Sequence, residues 1–132
     1  MPTVRFRIDL APHCSIGPGK IELLETIAES GSIRRAASQM HMSYRRAWLL
    51  VDSLNRSFSE AVTTASTGGA GGGGVRLTEF GAELVRRYRS AAERIEKLAQ
   101  AEFAPLANRI AARPPSPGVA GRKRLSKPTR KS

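Results

Sequence analysis

Residues 31–58 read GSIRRAASQMHMSYRRAWLLVDSLNRSF, followed by SEAVTTAS (59–66), TGGAGGGG (67–74) and VRLTEFG (75–81). The first piece decides the fold. Ser32 is placed to cap a helix whose apolar positions Ile33, Ala36, Ala37 and Met40 fall at i, i+3, i+4 and i+7. The small pair Ala36–Ala37 lets another helix approach closely. His41 and Met42 then make a short turn, and Ser43 caps a further helix reaching about Phe58. On that helix Ala47, Val51, Leu54 and Phe58 line one face, while Arg45, Arg46, Leu49, Ser53 and Arg56 lie on the other. Two short helices joined by a tight polar turn, the second basic on its outward face, is an arrangement that presents a helix to a DNA groove.

Working outward, Ala61–Ser66 is rich in Val, Thr and Ala and reads as a strand, with Val75–Leu77 as its partner across the glycine loop. This hairpin stands where a wing would be. Thr78 starts a long helix running to Phe103, about 39 Å. Along it Gly81, Leu84, Tyr88, Ala91, Ile95 and Leu98 alternate at steps of three and four, a heptad seam. So long a seam exceeds what a small domain covers by itself. Leu84, Tyr88, Ala91, Ile95 and Leu98 are therefore expected at a homodimer interface.

Upstream, Val4, Phe6, Ile8 and Leu10 alternate with Arg5, Arg7 and Asp9 as in a half-buried strand. Pro12, Gly17 and Pro18 punctuate a loop. Lys20–Ser30 carries Ile21, Leu24, Ile27 and Ala28 at helical spacing and stops at Gly31. The expected architecture is mainly α: a winged helix–turn–helix with a short N-terminal strand, a Gly-rich hairpin wing and a long C-terminal dimerisation helix, over residues 1–104. Beyond it, residues 105–132 hold eight Lys+Arg and no acid, and five of the eight prolines, and read as a disordered basic tail.

The charge is uneven. The chain carries 22 Lys+Arg against 11 Asp+Glu, a net +11, of which the tail supplies +8. The folded part is only mildly basic, yet no acid occurs between Glu29 and Asp52. That local positive field favours a polyanion as partner, nucleic acid before membrane. Arg45 and Arg46 sit in the first turn of the outward helix, where side chains meet base edges; arginine there pairs with guanine or holds phosphate. Tyr44 points towards the core by strict helical angle but sits at the helix start, within reach of DNA. Trp48, at the margin of the core face, reads as a packing residue.

Other chemistries find little support. Cys14 is the sole cysteine, so an intrachain disulfide and a four-ligand Cys/His cage are both excluded. His13 and His41 lack partners for a metal or nucleophilic role. The loop TGGAGGGG has no Gly-Lys-Ser/Thr ending and no helix after it, as a nucleotide P-loop requires. No carboxylate pair suggests general acid–base work. No apolar run marks a signal peptide or a membrane span, and a cytoplasmic protein without catalysis, metal or cofactor is expected.

The set GSIRRAA, SYRRAW, TGGAGGGG and LTEFG resembles the N-terminal winged-helix domain of ModE-type molybdate-responsive transcription regulators, over roughly Ile21–Phe103. LysR-type regulators share the GS-x-x-x-AA start and the LT-x-x-G end, but lack the glycine run. The resemblance implies a homodimer held by the long helix, with recognition helices in successive major grooves of double-stranded DNA. On this reading Tyr44, Arg45 and Arg46, with Ser43 at the helix start, contact the groove. Ser32, Arg34 and Arg35 position the preceding helix on phosphate, and Arg76 serves the wing. Family members carry C-terminal molybdate-binding domains, whereas this sequence ends in a basic tail, so molybdate binding is not expected of this chain. Two other functions remain open at this point: an architectural protein coating DNA through the tail, and an interaction module recruiting a separate sensor through the long helix.

Overall fold

The computed structural model describes residues 2–66 and 74–113; the tip of the expected wing (67–73) and most of the expected tail (114–132) lie outside the described residues. The element order is β1 (Ile8–Ala11), β2 (Cys14–Ile16), α1 (Pro18–Ser30), α2 (Ile33–Gln39), α3 (Tyr44–Ser57), β3 (Thr63–Ser66), β4 (Gly74–Leu77), α4 (Glu79–Phe103) and a 3₁₀ turn over Ala104–Arg109. That turn extends past the expected domain end at residue 104, with every one of its residues exposed.

Helix α1 is the centre of the domain. Proline at its first position supplies a preset φ where the missing N–H is not needed. Gly31 ends the helix at φ 79°, a left-handed conformation that favours glycine, and its N–H returns to the Ile27 carbonyl at 2.8 Å. Ile21, Leu23, Leu24 and Ile27 are all fully buried, but they serve two clusters. Ile21 and Leu24 pack with Ile16, Leu54, Val62, Leu84 and Tyr88. Leu23 and Ile27 pack with Ala36, Ala37, Ala47 and Val51, where the small residues bring α2 and α3 close. Leu77 touches both clusters.

Both caps expected in the helix–turn–helix form. The Ser32 Oγ accepts from the Arg35 N–H at 2.9 Å, and the Ser43 Oγ from the Arg46 N–H at 3.0 Å. Between them His41 takes φ 57°, and the turn closes through the Met42 N–H to the Ala37 carbonyl at 3.0 Å. The wing strands pair antiparallel, with Thr63 opposite Leu77 and Ser66 opposite Gly74. Asn55 anchors the first of them: its Oδ1 accepts from the Val62 N–H at 2.7 Å and its Nδ2 donates to the Thr63 hydroxyl at 3.1 Å.

Three expectations need correction. The loop expected around Pro12 contains β2, so the N-terminal element is a hairpin rather than a lone strand. A register shift between Asp9 and Ala11 breaks the alternation, turning Leu10 outward and Ala11 inward. The third concerns the seam. Leu84 and Tyr88 lie in the chain's own core, so they are not available to a partner subunit. Phe6 stacks on Tyr88 with ring centroids 4.7 Å apart, and the Tyr88 hydroxyl donates to the Phe6 carbonyl at 2.7 Å. Burial pushes the Tyr88 phenol up, outweighing the opposing pull of Arg89 and Arg5, which keeps that donor protonated. Beyond Tyr88 the seam leaves the core: Ala91 and Ile95 are half-buried and Leu98 is exposed.

Candidate nucleic-acid interface

Four of the described arginines are paired with acids. Arg7, Arg56, Arg87 and Arg89 each meet a carboxylate: Asp9 at 2.8 Å, Asp52 at 3.3 Å, Glu83 at 2.8 Å and Glu25. The last is bidentate and ties α4 to α1, and its hydrogen bonding raises the Arg89 pKa. Among the described residues, Arg34, Arg35, Arg45, Arg46 and Arg76 have no carboxylate partner, and neither do Arg5, Arg86, Arg94, Arg109 and Arg113. The first five are exposed and lie on α2, α3 or the wing strand β4, whereas the others are spread over the N-terminal segment, α4 and the residues after it. The first five stand out because they gather on adjoining elements, four of them in a stretch with no acid between Glu29 and Asp52, and such a gathering is the footprint expected of a polyanion site.

The tertiary fold brings these elements together. The Val75 N–H donates to the Gly31 carbonyl at 2.9 Å, fastening β4 to the corner between α1 and α2. A side chain at position 74 would meet that same carbonyl at 3.0 Å, which is why the last wing glycine is tightly fitted there. The wing base is thereby held beside the helix–turn–helix, with Arg76 exposed on it.

At the start of α3, Ser43, Arg45, Arg46, Leu49 and Leu50 line a shallow depression of about 280 Å³. Arg46 and Leu50 also border a second depression of about 300 Å³, whose other walls include Arg7, Lys20 and the Gly17–Pro18–Gly19 start of α1. Sequence spacing gives no hint of Arg7 and Lys20. They belong to segments far from α3 along the chain, and only the packed fold places them beside Arg46.

Both aromatic residues of α3 are exposed. The Tyr44 ring is 43% exposed rather than turned to the core, and the Arg34 guanidinium lies over it at 4.5 Å from the centroid. This contact links α2 to α3 across the turn and fixes where both side chains stand. Trp48, expected to pack, is 46% exposed. At about 100° per residue its position lies roughly 90° from the centre of the buried face, so packing on that face shields it only in part. Ser32 and Ser43 use their oxygens as cap acceptors, leaving each hydroxyl hydrogen to donate outward. Among the described residues no group of three or more His, Cys, Asp or Glu gathers to hold a metal ion. Nor is any described helix long and apolar enough to cross a membrane.

The geometry agrees with similarity to known proteins. The model of the family described as "Bacterial regulatory helix-turn-helix protein, lysR family" matches residues 19–82. The molybdenum transport protein ModE of Azotobacter vinelandii is 36% identical over 86 residues, covering 65% of this chain and 32% of that protein. Its namesake in Herbaspirillum seropedicae is 46% identical over 67 residues, covering 51% of this chain and 25% of the relative. The DNA-binding transcriptional dual regulator ModE of Escherichia coli K12 is 39% identical over 71 residues, covering 54% and 27%. The chain spans about a quarter to a third of the length of these relatives. Residues 19–82 thus fold as a helix–turn–helix and match the lysR-family helix–turn–helix model, and the chain is similar to part of the ModE proteins.

Proposed function

We propose that this chain is a cytoplasmic, non-catalytic transcription regulator that binds specific duplex DNA as a homodimer. The observation that carries the DNA reading is the set of five exposed arginines without carboxylate partners on α2, α3 and β4. Arg45 and Arg46, at the start of α3, read base edges. Arg34, Arg35 and the α2 cap Ser32 hold phosphate, Tyr44 and Ser43 position the groove contact, and Arg76 serves the wing. The relatives' names connect them with molybdenum, and we place the genes this chain controls in the same sphere.

The test is selection of duplexes from a random pool, followed by titration of the best one. Arg45→Ala or Arg46→Ala is expected to weaken binding by about 1–3 kcal/mol, and at least one to relax base preference. Two folded variants with unaltered affinity would remove α3 as the recognition helix.

An architectural role through the basic tail is the competing reading, and the salt dependence separates the two. Removing residues 118–132 takes away six Lys+Arg and no acid. Affinity for every duplex should fall and the salt slope become shallower, by about 0.9 for each phosphate that is no longer neutralised. The ratio of selected to random duplex should persist. A collapse of that ratio would assign sequence reading to the tail.

A further inference from the structure

Helix α3 exposes apolar side chains in the middle of its arginines. Trp48 and Leu49 are each 46% exposed, although both are large and neither charged nor capping. They continue two parallel rows at i, i+4: Tyr44 to Trp48, and Arg45 to Leu49. Helical side chains lean back towards the N-terminus, so Trp48 and Leu49 cover surface over the first turn, level with Arg45 and Arg46. An exposed apolar shelf usually awaits a partner. A second copy of this chain is a poor one, because a two-fold contact would set Arg45 and Arg46 against like charge. A partner that is anionic but offers apolar spots at the same depth suits both features. The major groove does so at one base alone, thymine, through its C5 methyl group.

We propose that Trp48 and Leu49 form a thymine-reading shelf, packing on C5 methyl groups one step along the groove from the bases that Arg45 and Arg46 address. This rests on the reading of α3 as the recognition helix and adds what part of the base code it selects. The arginines would answer to guanine or phosphate, whereas the shelf answers to a group without hydrogen-bonding capacity.

The test uses the full chain and the best duplex from the random-pool selection, remade with deoxyuridine replacing each thymine in turn. Uracil keeps every hydrogen bond and lacks only the methyl. Binding is expected to weaken roughly fourfold, the worth of one buried methyl group, at one or two thymines in each half-site. Trp48→Ala or Leu49→Ala should bind more weakly and lose that discrimination, while circular dichroism remains that of the parent. Indifference to deoxyuridine at every position overturns the shelf and leaves the recognition helix standing. Discrimination that persists in both variants overturns it equally. A Trp48→Ala protein with altered self-association and unaltered DNA binding would give the surface to a second copy instead. A selection that enriches no duplex defeats sequence-specific binding itself, and the shelf with it.

Discussion

Gly81→Ala is expected to destabilise the domain by about 3 kcal/mol or more, although alanine is the better helix former by about 1 kcal/mol. Gly81 lies in the first turn of α4, and a Cβ there would stand 2.1 Å from the Val62 carbonyl oxygen and 3.0 Å from its carbon. The obstacle is backbone, so it does not yield by a rotamer change. Val62 is itself fully buried, and its carbonyl also accepts from the Thr78 N–H at 3.0 Å. Thr78 joins the same contact twice more: its hydroxyl donates to the Ala61 carbonyl at 2.7 Å and accepts from the Gly81 N–H at 2.9 Å. Lifting α4 to admit a methyl group would break this cap and draw Leu84 and Tyr88 out of the core. Gly19→Ala is the control, because a Cβ there meets nothing within 4 Å. Urea unfolding at one protein concentration should show a sharp fall in midpoint for Gly81→Ala and none for Gly19→Ala. Equal midpoints would mean that α4 does not approach the Val62 carbonyl as described.

That glycine shows where sequence reading stops. Gly81 is visible as a small residue in a heptad seam, but the carbonyl that demands it comes from residue 62 and is invisible to spacing. The helix–turn–helix, by contrast, is legible because its signals are local. Ser32 and Ser43 act within three residues of themselves, and Ala36–Ala37 mark a close approach without saying to what. The short strand β2 escapes sequence reading because three residues between Pro12 and Gly17 carry no usable period. Helical angle alone misjudges Tyr44 and Trp48. It measures distance from the buried face, whereas exposure depends on how far other elements cover that side, and among the described residues Tyr44 and Trp48 are covered only in part. The arginine site is partly legible for a related reason: a run free of acids is seen in sequence. Which arginines find a distant carboxylate, as Arg89 finds Glu25, is seen only in the fold.

The seam on α4 divides in the same way, and the division makes the dimer reading testable apart from folding. Leu84 and Tyr88 hold the domain together, so changing them would unfold it and say nothing of subunits. Ile95 lies outside both core clusters and is half-buried. Around and beyond it, Leu98 is 65% exposed and Ile110 75%, with Phe103 and Leu106 exposed between them. A helix of 25 residues, about 37 Å long, thus ends in an apolar stretch that no part of the described chain covers. Pairing with its own copy would bury that stretch about a two-fold axis and set two recognition helices on one face of DNA, about 34–36 Å apart. Ile95→Arg places a charge in each half of such an interface, facing its like across the axis. Burying an unpaired charge costs several kcal/mol, and every 1.4 kcal/mol is tenfold in dissociation constant. Dimerisation is therefore expected to weaken by a hundredfold or more, while circular dichroism and the urea midpoint, extrapolated to the monomer, stay close to those of a folded domain. Sedimentation equilibrium decides the matter. A parent protein that is monomeric at high micromolar concentration, or an Ile95→Arg variant that dimerises as the parent does, would remove α4 as the subunit contact.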